Sequence, residues 1–204
     1  MRRLVAVEFL TLDGVMQGLG SPTEDRSGGF DHGGWGVPYG DVMHEVIDPN
    51  GLAGTSAYLF GRRTYEKMAA FWPTQPDDNP MAASLNSAPK YVATRSTPPL
   101  EWAGAVRLRG ELTAGVQQLR AEGEGDVVIL GSGDVVRQLL AVDRIDELRL
   151  FIHPLLLGDG KRLFGGVPEP RSFRLKSINT TSKGTIAAVY TKDSEPPDRP
   201  TLTG

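Results

Sequence analysis

The sequence lacks cysteine altogether and has only three histidines among its 204 residues. Without cysteine there are no disulfides, thiolate metal ligands or cysteine nucleophiles, and the composition is compatible with a reducing cytoplasm. His32, His44 and His153 lie far apart and form no motif such as H-E-x-x-H, so we expect no metal. No serine stands in a G-x-S-x-G motif. Any redox chemistry therefore has to come from a bound cofactor.

An excess of positive charge and long hydrophobic runs are also missing. Lysine and arginine total 22 against 25 acidic residues, a net charge of -3, which gives no basic footprint for nucleic acid. The apolar run at residues 4–10 is too short for a membrane span and is interrupted by Glu8. We therefore expect a soluble, cytoplasmic protein that binds neither nucleic acid nor membranes.

Short runs rich in aliphatic residues alternate with helix-like segments along the chain. The runs cover residues 4–10, 57–60, 90–94, 126–130, 147–152 and 185–191. This alternation predicts an α/β fold whose mostly parallel sheet is covered by helices on both faces. After Asp146 no clear helix separates the last runs, so we expect antiparallel C-terminal strands at the edge of the sheet.

One domain accounts for the chain, because about 100–200 residues is the usual size of a domain. We assign residues 1–192 to this domain. The tail, residues 193–204, has three prolines, several charges and almost no apolar residue, and we expect it to be disordered. The glycine-rich and proline-rich stretches at residues 18–38 and 72–89 are predicted loops, a kind of segment that often carries active sites.

Gly61, Arg62, Arg63 and Thr64 follow a short apolar strand. Glycine at the strand end allows a tight turn, and the N–H groups of a helix that starts there can receive phosphate oxygens. The two guanidinium groups suit a phosphate monoester such as the 2′-phosphate of NADPH, and threonine adds a hydroxyl donor. The alternative interpretation is an ordinary helix start with both arginines in solvent.

A second glycine turn, formed by Gly131, Ser132, Gly133 and Asp134, follows the run at residues 126–130. It has the first two glycines of a dinucleotide-binding turn, but Val136 occupies the place of the third. A turn directly after a central parallel strand lies where open α/β sheets bind ligands. The same residues also suit a structural turn that lets the next helix approach the sheet closely.

Asp13 and Asp41 are the candidate catalytic carboxylates. Asp13 follows the first strand, and Asp41 lies at a predicted helix start close to Trp35 in a glycine-rich stretch. Such a carboxylate can hold a protonated nitrogen of a flat heterocycle or relay a proton. Alternatively, Asp41 satisfies backbone donors at the helix start and Asp13-Gly14 forms a turn.

Five short motifs occur in an order and spacing that resemble one family. They are Leu12-Asp13-Gly14, the segment FGRRTYE at residues 60–66, Leu130-Gly131-Ser132-Gly133, Asp146-Glu147-Leu148, and the segment PLLLGDGKRLF at residues 154–164. Together they resemble the dihydrofolate reductase-like superfamily, and within it the reductase domain of the riboflavin-pathway deaminase-reductase. The resemblance covers about residues 3–192, and we expect a stand-alone reductase domain because the chain has no cysteine for the family's zinc deaminase site.

The resemblance implies a three-layer α/β sandwich and an NADPH site. By this resemblance the 2′-phosphate and pyrophosphate are bound by Arg62, Arg63 and Thr64, the adenosine is lined by Thr94, Arg95 and Ser96, and Gly131, Ser132, Gly133 and Asp134 lie beside the pyrophosphate and nicotinamide. At the substrate end the match departs from the folate enzymes. Glu8 and Phe9 stand where those enzymes keep small residues, and Asp41 matches the family carboxylate only after a shift of one residue.

The leading hypothesis is an NADPH-dependent reductase that transfers hydride to a small heterocycle. The reaction type is that of 5-amino-6-(5-phosphoribosylamino)uracil reductase in riboflavin biosynthesis or of dihydrofolate reductase, with Asp41 or Asp13 orienting the substrate or relaying a proton. One rival is a non-catalytic nucleotide-binding or sensor module that keeps the fold, and another is a purely structural dimer. We also expect a homodimer, because the apolar strands near residues 148–157 need a cover if they form an edge.

Overall fold

Strands and helices alternate along the chain, which the computed structural model describes for residues 1–47, 54–76, 78–166 and 168–193. The strands of this part are β1 (Arg3–Thr11), β2 (Thr55–Gly61), β3 (Lys90–Ala93), β4 (Ala105–Arg107), β5 (Asp126–Leu130), β6 (Glu147–His153), β7 (Phe173–Thr180) and β8 (Ile186–Lys192). The α-helices are α1 (Arg62–Phe71), α2 (Pro80–Ser87), α3 (Leu112–Ala121) and α4 (Gly133–Ala141). Short 3-10 helices cover Ser27–Gly29, Val37–Glu45 and Trp72–Thr74.

The strands form one mixed sheet in the spatial order β4-β3-β2-β5-β1-β6-β8-β7. The first six strands along the chain pair in parallel, whereas β8 pairs antiparallel with both β6 and β7. The predicted mixed sheet with antiparallel C-terminal strands is therefore confirmed. The structure differs from the prediction in the place of β6. This strand was expected at the edge of the sheet, but it lies between β1 and β8.

Helices cover both faces of the sheet because its central strands are apolar on both sides. On one face Leu4 and Ala6 of β1 pack in a core with Val116 of α3 and Leu139 of α4. On the other face a second core joins Val5 of β1, residues of β2 and β5, and side chains of α1 and α2, with the members Tyr58, Phe60, Tyr65, Leu85 and Val128. This arrangement confirms the three-layer sandwich.

The predicted disordered tail lies almost entirely outside the described residues. Asp193 is the exception: its N–H donates to the carbonyl of Ser172 at 3.0 Å, and its carboxylate accepts a hydrogen bond from Arg174 at 3.1 Å. In the described ranges no helix combines the length and the hydrophobicity that crossing a membrane requires.

Candidate active site

A cleft of about 1860 Å³ lies where the parallel strands β1, β2, β3, β4 and β5 end. It is larger than the roughly 300–1,000 Å³ of a pocket for one drug-sized ligand, and so has room for a cofactor and a substrate together. The eleven residues predicted to bind a cofactor all line this cleft: Gly61, Arg62, Arg63, Thr64, Thr94, Arg95, Ser96, Gly131, Ser132, Gly133 and Asp134. They come from three different strand ends, which the parallel topology brings to one edge of the sheet.

The start of α1 presents backbone donors and two arginines to the cleft. The helix begins at Arg62, and no side chain of the described residues caps its first turn, so its N-terminal N–H groups are open to an anion. The Arg62 guanidinium lies 3.7 Å from the carboxylate of Glu66, and both side chains are about half exposed. Arg63 is exposed and has no hydrogen-bond or ion-pair partner among the described residues. This end of the cleft therefore suits a phosphate group.

The turn from β5 into α4 has an unusual backbone conformation. Gly131 has φ of 64°, and Ser132 has φ of 62° and ψ of 41°, the left-handed region that L residues other than glycine rarely adopt. The Ser132 hydroxyl accepts a hydrogen bond from the N–H of Gly61 at 3.0 Å, which joins this turn to the end of β2. A Cβ atom on Gly133 would overlap the end of the Met16 side chain. Any larger residue there would therefore displace Met16, which belongs to the loop that follows β1.

The loop after β3 places Thr94, Arg95 and Ser96 on the same wall. The Thr94 hydroxyl accepts from the N–H of Ser96 at 3.2 Å, a local turn that leaves Arg95 exposed. Arg107, at the end of β4, also lines the cleft and donates to the carbonyl of Thr94 at 3.2 Å. Arg107 could not be predicted from the sequence, because the three residues of β4 are too few to show a strand pattern.

The loop after β1 forms the opposite wall and is held in place by polar contacts. The Gln17 side chain is buried, donates to the carbonyls of Asp25 and Ser27 and accepts from the N–H of Lys161. The Lys161 ammonium lies 2.6 Å from the carboxylate of Asp25. Burial acts to raise the pKa of Asp25. The hydrogen bonds from Lys161 and Ser27 together outweigh this effect and bring the pKa well below its usual range. The predicted loop at residues 18–38 is therefore fixed on one side to the β6–β7 connection.

Glu8 and Phe9 of β1 complete the lining of the cleft. The Phe9 ring stacks on Phe151 of β6 with ring centroids 4.7 Å apart. The Glu8 side chain is 2% exposed and makes no hydrogen bond within the described part of the chain. Burial raises the pKa of Glu8 to about 8, and the charge of Arg137 opposes this rise only in part. From the sequence, Glu8 is only a larger residue than the folate enzymes have at this place. The burial of a single carboxyl group cannot be predicted from the hydrophobic pattern of a strand.

Asp13 lies outside the described lining of the cleft. Its carboxylate accepts from the Thr11 hydroxyl at 2.6 Å and from the N–H of Gly158 at 2.9 Å, and it pairs with Arg162 at 3.3 Å. The hydrogen bond from Thr11 is the main cause that lowers the pKa of Asp13 to about 2. Asp13 thus joins the end of β1 to the β6–β7 connection.

Asp41 also lies outside the described lining of the cleft. Its carboxylate pairs with the ammonium of Lys183 at 2.7 Å on the surface, and the hydrogen bond from Lys183 lowers its pKa. Trp35, which lies close to Asp41 in the sequence, is buried, and its indole N–H donates to the carbonyl of Gln17 at 2.7 Å. The structure does not bring Asp13 and Asp41 into contact with the predicted cofactor residues, and their catalytic role stays a prediction.

Solved structures with this fold include two bacterial proteins. A putative riboflavin biosynthesis protein from Shewanella sp. PV-4 superposes with a TM-score of 0.65 at 20% identity, covering 94% of this chain and 99% of that one. A pyrimidine reductase-like protein from Corynebacterium diphtheriae superposes with a TM-score of 0.60 at 15% identity, covering 95% and 93% of the two chains. These likenesses establish the fold.

Sequence comparison adds a relative and a family. The uncharacterized protein YyaP of Bacillus subtilis (strain 168) is 23% identical over 197 residues, which cover 93% of this chain and 94% of YyaP. The sequence profile of the RibD C-terminal domain matches residues 2–187, nearly the whole of the chain. This match agrees with the five motifs and with the fold, and the chain therefore belongs to the RibD C-terminal domain family of reductase-like proteins.

Proposed function

We propose that this protein is an NADPH-dependent reductase that transfers hydride to an electron-poor C=N or C=C bond of a small heterocycle. The reaction type is that of the aminouracil reductase step of riboflavin biosynthesis or of dihydrofolate reductase. One observation carries the proposal. The residues that were predicted from the sequence to bind phosphate and nucleotide come from three separate strand ends, and they line one cleft. Membership of a reductase-like family supports the same reaction class.

The arginines and the backbone N–H groups of the cleft would bind and orient the cofactor. Arg62 and Arg63 would hold the 2′-phosphate, and the open N–H groups at the start of α1 would hold phosphate oxygens. Arg95 and Arg107 extend this positive wall toward the end of β4. NADPH, when bound, supplies the hydride, and the protein contributes orientation and electrostatics. Four arginines thus lie along the wall of the cleft that is formed by the ends of β2, β3 and β4.

We assign the substrate to the apolar residues of the cleft. Phe9, Leu19, Met68 and Trp72 are among them, so a flat ring can be buried against these side chains while its polar edge meets polar groups of the lining. Holding that ring and the cofactor in one orientation is the main contribution of such a site to the rate. Glu8 is the buried carboxyl among the residues of the described cleft.

Replacement of both Arg62 and Arg63 by alanine tests the cofactor assignment. We expect the Kd of NADPH to rise at least about 100-fold, because each charge-assisted bond to a phosphate is worth about 1.5–3 kcal/mol. The Kd of NADH, which lacks the 2′-phosphate, should change by less than about threefold because the other phosphate donors remain. Titration calorimetry measures both constants.

Arg174→Ala is the matched control for this experiment. Arg174 is an exposed arginine on β7 that pairs with Asp193 and lies outside the described lining of the cleft. Its removal should leave both constants unchanged. Equal losses for NADPH and NADH in the double variant would contradict the 2′-phosphate assignment. Binding of NADPH by the wild type without its oxidation by any pterin or pyrimidine would favour the non-catalytic sensor instead.

A further inference from the structure

Glu8 is a buried carboxyl group in the middle of the sheet, and it has no hydrogen-bond partner among the described residues. It lies on β1 between β5 and β6, is 2% exposed, and its Oε1 atom is fully buried with no hydrogen bond in the described residues. Buried polar groups in native proteins are almost always paired, so an exception indicates a ligand or another function. Glu8 is also one of the residues that line the cleft, so a ligand that packs against its carboxyl there would supply the partner that it lacks.

The surroundings of Glu8 favour its neutral form. The alternation of β1 puts Glu8 on the face of Ala6 and Leu10, toward α4, and its cross-strand neighbour on β6 is Leu150. The charged group that acts on its carboxyl is Arg137 of α4, which is itself paired with Asp134 and donates to the carbonyl of Arg162. Desolvation outweighs this charge and raises the pKa of Glu8 to about 8. At neutral pH the group is therefore mainly a carboxylic acid.

A carboxylic acid presents one O–H donor and one acceptor side by side. This pair complements an amide edge, in which a carbonyl oxygen accepts and an adjacent N–H donates. A carboxylate would offer two acceptors and would instead suit an amidinium or guanidinium group. The protonation state of Glu8 thus decides which group of a ligand it can bind: an amide edge when it is neutral, and an amidinium or guanidinium group when it is ionised.

We propose that Glu8, as a neutral acid, binds the amide edge of a ligand in the cleft, donating its O–H to the carbonyl oxygen and accepting from the adjacent N–H. This inference rests on the proposed function and assigns a specificity residue to the same site. Two ligands of the proposed reaction carry such an edge: the carboxamide of the nicotinamide ring, and the lactam of a pyrimidinone substrate. Glu8 binds one of these, and the experiment below distinguishes them.

Two variants separate the chemistry of Glu8 from its volume. Glu8→Gln keeps a donor and an acceptor in a neutral side chain, and Glu8→Leu keeps a similar volume without either. The probes are NADPH, its 3-acetylpyridine analogue, in which the carboxamide N–H is absent, and 5,6-diaminouracil in the presence of NADP⁺. Calorimetry at pH 7 gives the dissociation constants, and thermal melting verifies that each variant is folded.

We expect Glu8→Leu to lower the affinity for one probe at least about tenfold, which is the effect expected from losing the hydrogen bonds of one edge. Glu8→Gln should lower the same affinity less than about threefold. If the cofactor is the ligand, NADPH loses more affinity than its acetyl analogue, which keeps only the carbonyl that accepts from Glu8. If the substrate is the ligand, 5,6-diaminouracil loses affinity while NADPH binding is unchanged. Equal losses in both variants, or no loss in either, would overturn the inference.

The pH dependence of the wild type provides a test that needs no variant. Affinity for the same probe should fall about tenfold between pH 7 and pH 9.5 as the acid ionises, while Glu8→Gln should remain flat over this range. A flat wild-type profile would argue against a neutral acid at Glu8. If the wild type binds neither NADPH nor 5,6-diaminouracil, the proposed function fails and the inference with it. Normal binding that is insensitive to Glu8→Leu overturns the inference alone.

Discussion

At the scale of single residues, Glu8 makes the stability of the folded protein depend on pH. Its pKa is raised from the ordinary 4.5 to about 8, so the folded protein holds this proton more tightly than the unfolded chain does. The contribution of Glu8 to the free energy of unfolding is therefore greatest below pH 4.5, and it is lost as the pH rises through 8. The full loss is on the order of 5 kcal/mol.

Glu8→Gln should remove this loss, because the amide does not ionise. We expect the melting temperature of the variant to exceed that of the wild type by more at pH 8.5 than at pH 5.5, as scanning calorimetry can measure. Glu101→Gln is the control, since the Glu101 side chain is exposed and its removal should give no pH-dependent difference. A Glu8→Gln difference that is the same at both pH values would contradict the burial of an ionisable carboxyl.

The residues of the candidate site differ in how far they could be predicted from sequence. Arg62, Arg63 and Thr64 were predicted to bind phosphate because residues of these types follow a strand and a glycine at a helix start, which can be read from the sequence. Glu8 was not identified as a polar group of the site, because its importance comes from desolvation and the absence of a partner, which depend on how β1 is packed. Asp13 and Asp41 show the converse, since their type suits catalysis but their partners are Thr11, Arg162 and Lys183.

At the scale of elements, one buried lysine joins three segments at the amino-terminal edge of the sheet. Lys90, the first residue of β3, is fully buried. Its ammonium donates to the carbonyls of Asn86 and Ala88 at the end of α2 and of Ala103 before β4, at 3.2, 2.8 and 2.8 Å. It also lies 4.7 Å from the centre of the Trp102 ring. Lys90 thereby holds α2 and β4 against β3.

Lys90→Met should destabilise the fold without affecting the cleft. Methionine keeps the apolar stem but leaves the three carbonyls without this donor, at an expected cost of about 2–4 kcal/mol. For a domain of this size the melting temperature should fall by roughly 5–12 °C. Lys183→Met, which removes a partly exposed lysine paired with Asp41, should cost less than about 1 kcal/mol. A Lys90→Met protein as stable as the wild type would show that these hydrogen bonds contribute nothing net.

Elements differ in predictability for a related reason. The six strands predicted from apolar runs are present, because each is buried on one or both faces and so carries a hydrophobic pattern. β4 is too short for a pattern, and β7 has none, since all of its residues after Phe173 are exposed. The order of the strands in space depends on contacts far apart in sequence and was available only through the resemblance to a known fold.

At the scale of the whole molecule, β7 leaves one edge of the sheet open within the described structure. It pairs only with β8, so its other edge presents unpaired backbone groups, and Leu175 and Ile178 are 48% and 53% exposed. The sequence reasoning had placed the exposed edge near residues 148–157, but β6 lies inside the sheet. The homodimer predicted from the sequence is therefore better placed at β7 than at β6.

A second copy of the chain is expected to cover β7 and to make the protein a homodimer. Replacing Leu175 and Ile178 together by glutamate should convert it to a monomer, because four like charges would face one another across a two-fold interface. Light scattering after size exclusion, at micromolar concentration, measures the mass directly. Val106→Glu is the matched control: Val106 lies on β4, the opposite edge of the same sheet, and is 49% exposed. A monomeric wild type would contradict the dimer, whereas dissociation by Val106→Glu alone would move the interface to β4 and closer to the cleft.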